Sequence, residues 1–161
     1  IEIPMIASGG FADARGLVAA LALGADGINM GSRFMCTVES CIHDNVKEAI
    51  VAGDERGTEL IFRSLHNTAR VASNTVSREV VEILKGGGQF EDVKDLVAGV
   101  RGRRVFDDGD VDAGIWTVGT AMGLINDIPT VGDLVSRIVG EAEDLISGRL
   151  AGMLTPAVQA V

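Results

Sequence analysis

The residues best placed to do chemistry in this sequence sit in two short stretches, Ser8-Gly9-Gly10 and Asn29-Met30-Gly31-Ser32. Each belongs to the end of an apolar run of strand type, and glycine there lets a ligand come close to the backbone. Free N–H groups at the start of a following helix point at such a ligand and favour an anion. Gly10, Gly31 and Ser32 together offer a nest of backbone donors that needs no lysine, and the Ser32 hydroxyl adds one more donor. Arg33 has two open readings: it adds positive charge to the nest, or it points into the adjacent structure and pairs with an acid. The nest has a rival too, because Gly-Gly pairs often do nothing more than turn the chain.

Other reactive side chains are less promising. Cys36 and Cys41 are the two cysteines and stand five residues apart with no His or Cys at ligand spacing, which argues against a disulfide framework and against a zinc site. Cys36 has no partnered His nearby in sequence and reads as a small apolar filler. The two histidines, His43 and His66, fall at the start of a surface helix and in a polar stretch, neither a context for a general base. Asp107-Asp108-Gly109-Asp110-Val111-Asp112 resembles part of a calcium loop but lacks the twelfth-position Glu and the flanking helices, so it reads as solvated charge. No catalytic residue and no metal ligand is assigned.

The elements that must position the two loops follow from hydropathy pattern. Ile3 to Ala7 is a near-continuous apolar run, as expected of a parallel strand buried on both faces. Asp13 suits a helix N-cap, and Leu17, Val18, Leu21 and Ala22 lie on one face of a helix that Gly24 ends. Ala25-Asp26-Gly27 turns into the second strand from Ile28, completing a βαβ unit of about 30 residues. Beyond it the pattern predicts a helix from Ile42 to Gly53, extended segments at Glu59 to Phe62 and Ala69 to Ala72, and a helix over Ser77 to Leu84 broken by Gly86-Gly87-Gly88. A further helix is predicted over Phe90 to Val100, then a solvated connection from Arg101 to Asp112, then a long amphipathic helix over Val131 to Leu150; the tail after Pro156 is expected to fray.

The expected fold class is therefore α/β: the last two βα units of a (β/α)₈ TIM barrel, residues 1–36, followed by a mainly helical region, residues 37–161, as a single partial domain. In such barrels a phosphate often rests between the last two βα loops, where these two stretches would stand. An apolar strand at residue one, with no Met before it, reads as a fragment whose strand partners lie upstream, with self-association through exposed barrel strands as the consequence.

Composition limits the partners. The 161 residues carry 14 Lys and Arg against 23 Asp and Glu, a formal charge of −9, so nucleic acid and anionic membrane are poor partners. No apolar run approaches the roughly 20 residues of a bilayer crossing, and a cytoplasmic protein is expected.

The run Ala7-Ser8-Gly9-Gly10-Phe11-Ala12-Asp13, continued by Ala22-Leu23-Gly24-Ala25-Asp26-Gly27-Ile28-Asn29-Met30-Gly31-Ser32-Arg33-Phe34 and Glu39-Ser40, resembles the nitronate monooxygenase (2-nitropropane dioxygenase-like) family. Trp116-Thr117-Val118-Gly119-Thr120 with Gly123-Leu124-Ile125-Asn126-Asp127-Ile128-Pro129 resembles the family's late segment, so the likeness covers most of the chain. The resemblance implies an FMN-dependent barrel enzyme that oxidises alkyl nitronates or nitroalkanes with oxygen. It implies that the flavin phosphate sits on Gly9 and Gly10 and on Asn29, Met30, Gly31 and Ser32, where the family more often has Thr in place of Ser32. The family usually carries Gln or Ala-Gly-Gln near Val118-Gly119-Thr120, so nothing is carried over to Thr120. Its catalytic histidine comes from chain upstream of these strands and has no counterpart here. An FMN-dependent enoyl-[acyl-carrier-protein] reductase is the alternative within the same architecture. A non-catalytic acidic interaction fragment is the alternative outside it.

Overall fold

In the computed structural model, which describes residues 2–154, the chain alternates strands and helices and is an α/β protein. Strand β1 (Ile6–Ser8) leads into helix α1 (Ala14–Ala22) and then strand β2 (Gly27–Asn29). The two strands pair in parallel with Ile6 opposite Gly27, Ala7 opposite Ile28 and Ser8 opposite Asn29, so the expected βαβ unit is present. Helix α1 starts where it should: the Asp13 carboxylate accepts the Gly16 N–H at 3.0 Å. It stops at Gly24, whose φ of +98° is a conformation that residues with a Cβ rarely adopt.

The first strand differs from expectation. Its regular part covers Ile6–Ser8 rather than Ile3 to Ala7, and it is not buried: Ile3 is 72% and Ile6 57% exposed. Among the described residues the parallel sheet has only these two strands, too few for its faces to be covered, so the side chains of this segment stay open to solvent.

Helix α2 (Ser32–Met35) follows β2 at once, and α3 (Asp44–Val51) comes after a loop, capped by the His43 ring, whose Nδ1 accepts the Asn45 N–H at 3.1 Å. The two segments expected to be extended are strands β3 (Thr58–Ile61) and β4 (Ala69–Ala72), and the structure pairs them as an antiparallel hairpin. Helix α4 (Thr75–Lys85) packs on that hairpin; its start is fixed by a reciprocal pair of bonds in which the Asn74 carboxamide accepts from Ser77 N and Ser77 Oγ accepts from Asn74 N, both at 2.8 Å.

Two expectations further on are corrected. The helix predicted over Phe90 to Val100 is split: α5 is Phe90–Val93, and Ala98 takes an extended conformation before α6 begins at Gly99. Arg101 to Asp112 is not a solvated connection, because α6 runs over Gly99–Asp108 and ends at Gly109 with φ +74°. Its charges hide one inward stripe, with Val105 fully buried and Phe106 against the core. The predicted long C-terminal helix is present as α7 (Val131–Asp144), continued by a wider π-helical segment over Leu145–Leu150. The tail after Pro156 lies outside the described residues.

Two clusters hold the fold. One gathers Cys36, Val46, Ile50, Val105, Trp116 and Met122 behind the α2 and α3 region, and the other packs Ile61 and Val71 of the hairpin against Val80, Leu84 and Val93. Trp116 secures its polar edge by donating from Nε1 to the Val111 carbonyl at 3.1 Å.

Candidate functional site

The parallel register sets both glycine stretches at the C-terminal ends of neighbouring strands, because Ser8 and Asn29 are the last paired residues of β1 and β2. They are joined side chain to side chain: Asn29 Nδ2 donates to Ser8 Oγ at 3.1 Å. Gly9 and Gly10 have φ of +96° and +81°, so the chain turns here in a way that favours glycine. A Cβ built on Gly9, Gly10 or Gly31 would meet no atom within 4 Å, which leaves open space over each. The backbone N–H groups of Gly10 and Gly31 donate to no protein acceptor among the described residues. The result is an open, solvent-facing pair of loops with unengaged backbone donors, suited to an anion that approaches the main chain closely.

The remaining predicted residues are distributed around that pair. Met30 is half-buried between β2 and α2. Ser32 opens α2, and its Oγ accepts the Gly119 N–H at 2.9 Å, a contact between residues 87 positions apart that leaves the hydroxyl hydrogen free to donate. This contact brings the Trp116 to Thr120 segment against the second loop, while the Thr120 side chain itself is exposed.

Arg33 takes the inward of its two readings. It is 2% exposed and turned into the protein, where it donates to Asp127 Oδ1 at 3.0 Å, to the Asp127 carbonyl at 2.7 Å and to the Cys36 carbonyl at 2.7 Å; its Nε makes no protein hydrogen bond. Asp127 also receives Arg137 of α7, at 2.6 and 3.2 Å. The Arg137 hydrogen bond, reinforced by both arginine charges, holds the Asp127 carboxyl below its ordinary range despite partial burial. Sequence reasoning singled out Asp127 only as part of a motif. Its partners lie 94 and 10 residues away, and no local pattern announces such a pairing.

Neither histidine joins the loops' chemistry: the His43 ring caps α3, and His66 closes a single helical turn, Arg63–Leu65, in the β3–β4 connection. Burial pushes the Cys36 thiol up to about 11 in spite of the nearby Arg33 and Lys47, in keeping with an inert filler. Among the described residues no group of three or more His, Cys, Asp or Glu side chains could hold a metal ion, and no helix is long and apolar enough to cross a membrane.

Fold and site thus define an α/β protein with paired glycine loops at the ends of parallel strands. The chain belongs to the nitronate monooxygenase family, whose model matches residues 1–141. It is similar to a nitronate monooxygenase of Neurospora crassa, 30% identical with 90% of this chain and 39% of the relative covered. It is also similar to (3aS,4S,5R,7aS)-5-hydroxy-7a-methyl-1-oxo-octahydro-1H-indene-4-carboxyl-CoA dehydrogenase of Rhodococcus jostii (strain RHA1), 29% identical over 88% of this chain and 50% of the relative. Among solved structures, FabK from Thermotoga maritima superposes with a TM-score of 0.88 at 34% identity, covering 96% of this chain and 48% of FabK. The chain spans about half or less of the length of these relatives.

Proposed function

We propose that this chain supplies the FMN phosphate site of a flavin-dependent oxidoreductase acting on alkyl nitronates or nitroalkanes with oxygen. In this reading residues 1–36 are the last two βα units of a (β/α)₈ barrel and residues 37–161 its helical C-terminal region. The exposed Ile3, Met5 and Ile6 are then the faces on which further barrel strands pack. The observation that carries the reading is the Ser8–Asn29 bond between two loops whose Gly10 and Gly31 donors are unengaged and whose glycines leave room above them.

The residues suit a phosphate by their donor set. Gly10, Gly31 and Ser32 offer N–H groups, and the Ser32 hydroxyl donates while its oxygen is held by Gly119. With Arg33 spent on Asp127, recognition falls to backbone dipoles rather than a side-chain cation. Gly9 shapes the first turn through its positive φ, Met30 lies half-buried at the second, and Asn29 fixes one loop against the other. FMN, when bound, supplies the electron transfer from substrate to oxygen. This chain's part is to bind and orient its phosphate. Neither His43 nor His66 is assigned the proton transfer a neutral nitroalkane requires, so the chain by itself is expected to show no turnover of such substrates.

A second reading is favoured by the FabK superposition: an FMN-dependent enoyl-[acyl-carrier-protein] reductase, which would take electrons from a nicotinamide donor. Flavin titration followed by fluorescence quenching tests the shared anchor. Saturable quenching supports it, and none at millimolar FMN returns the chain to a non-catalytic acidic interaction fragment. Oxygen uptake with a propyl nitronate, set against NAD(P)H oxidation with an enoyl thioester and measured on the protein with its upstream chain, separates the two enzymes.

A further inference from the structure

We propose that the cavity between strand β3 and helix α4 binds a small amphipathic anion, a ligand with an apolar body and a single carboxylate head. No residue of the two glycine loops lines this cavity, so it is independent of the phosphate-site reading.

Apolar and cationic residues lie side by side in the two stretches that form it. Leu60-Ile61-Phe62 runs straight into Arg63-Ser64, and Val81, Leu84 and Lys85 share one face of α4 by their three- and four-residue spacing. Folding sets these residues around one cavity of about 330 Å³ that opens to solvent. That is the size of a small-molecule site, for which about 300–1,000 Å³ is usual. Its floor belongs to the second core cluster, where Ile61 and Leu84 are buried and Phe62 and Val81 pack against them.

An unusual backbone builds the polar end. Phe62 and His66, with φ of +60° and +55°, are the non-glycine residues of positive φ among the described residues, and they bracket the Arg63–Leu65 turn. A bulky aromatic residue rarely takes this conformation, and such strain persists where the surrounding structure enforces it, ligand sites included. Here the Phe62 carbonyl accepts the N–H groups of Leu65 and Asn67 at 3.1 and 3.3 Å, and the Phe62 ring centroid lies 6.3 Å from that of Phe90. The chain is thereby turned at the end of β3 so that Arg63 and Ser64 line the same cavity as Leu60 and Ile61.

The positive charge at that end is available. Arg63 takes part in no ion pair among the described residues. Lys85 is paired with Glu82 at 3.0 Å across an exposed surface, a contact that a ligand displaces at little cost. No acidic residue lines the cavity, although the chain as a whole carries a charge of −9. Two cations with no carboxylate among the lining residues select an anion, and the apolar walls reject one that is hydrophilic throughout. The occupant is therefore an apolar carboxylate of the size of a medium-chain fatty acid. Its head lies against Arg63 and Lys85 and its body along Leu60, Phe62 and Val81.

The test is calorimetric titration of the whole chain, without flavin, using octanoate, 1-octanol and acetate at neutral pH. Octanoate is expected to bind saturably at one site with a Kd on the order of 1 mM or tighter, as fits a ligand of about ten heavy atoms. Octanol lacks the charge and acetate lacks the chain, and each should bind at least about tenfold more weakly. Arg63→Glu and Lys85→Glu, both at exposed positions, should keep the far-ultraviolet circular dichroism of the parent and each weaken octanoate about tenfold. Arg103→Glu makes the same charge change at an exposed position outside the cavity and should leave octanoate binding as it is. Amide exchange should slow with octanoate in segments 60–64 and 81–85 and stay unchanged in segment 8–14. No saturable heat up to about 10 mM octanoate overturns the proposal. Octanol binding as tightly as octanoate does so too, as do equal losses from Arg63→Glu and Arg103→Glu. Flavin titration is read separately, and because cavity and loops share no residue, either site can fail without the other.

Discussion

Arg33 and Asp127 meet twice across 94 residues of sequence, the guanidinium donating to the carboxylate at 3.0 Å and to the backbone carbonyl at 2.7 Å. One partner is almost wholly enclosed and the other about a third exposed, so the two are not interchangeable under mutation. Truncating Asp127→Ala removes the counter-ion of a buried guanidinium and leaves it only its bonds to the backbone carbonyls of residues 127 and 36. The expected loss is about 3–5 kcal/mol, the range for breaking a buried pair from one side, measured by urea unfolding. A loss under about 1 kcal/mol would show that the pair behaves as a surface bridge.

Acid should dissolve the same contacts. Asp127 sits below its ordinary range through its Arg137 hydrogen bond; Asp112 does so through the Thr75 N–H it accepts; and Asp13 does so because the bonds from Arg15 and Gly16 outweigh its burial. A carboxyl with a folded pKa below its unfolded one adds stability that is complete above the unfolded value, near 4, and is lost as pH falls through the folded value. Stability followed by thermal melts from pH 6 to pH 2 should therefore fall below about pH 4. Asp127→Asn should show a shallower fall. A parallel course for parent and variant would refute the assignment.

The two thiols should separate cleanly. Cys36 is buried with its thiol pushed up to about 11, and Cys41 is exposed. Iodoacetamide at pH 8 is expected to add one carbamidomethyl group to the folded chain, at Cys41, and two after denaturation, counted by intact mass. Rapid double modification under native conditions would mean that Cys36 is not enclosed.

Gly109 ends α6 at φ +74°, and a Cβ there would run into the His43 ring that caps α3. Gly109→Ala should cost roughly 2 kcal/mol or more, from left-handed strain and collision together. In a His43→Ala background the cost should fall towards the strain alone, about 1 kcal/mol, a coupling that a double-mutant cycle on unfolding free energies reads directly. Equal costs in both backgrounds would remove His43 from the account.

For the proposed anchor, Gly31→Val should abolish or severely weaken FMN quenching by filling the open space above the loop. Ser32→Ala removes one hydrogen bond to a charged group, worth about 1.5–3 kcal/mol, and should weaken it roughly tenfold or more. Two variants that titrate like the parent would count against the loops as the phosphate site.

The βαβ unit was legible in the residues because its signals are local: Asp13 needs only Gly16 three positions on, Gly24 needs only its own φ, and the two glycine stretches come directly after the strands. The extended character of β3 and β4 and the helical character of α4 were legible for the same reason, whereas the pairing of the two strands was not. Helix α6 was not, because its stretch is so rich in charge that Val105 and Phe106 barely interrupt it, and their inward stripe has meaning only once a core stands behind it. Sequence left Arg33 suspended between the loop and the interior, since an arginine's direction depends on which acid is within reach. Folding brought Asp127 and Arg137 to it, and likewise brought the Gly119 N–H to Ser32. Local backbone chemistry is written in neighbouring residues, whereas charges and hydroxyls find partners across the chain, and only the tertiary structure decides which ones meet.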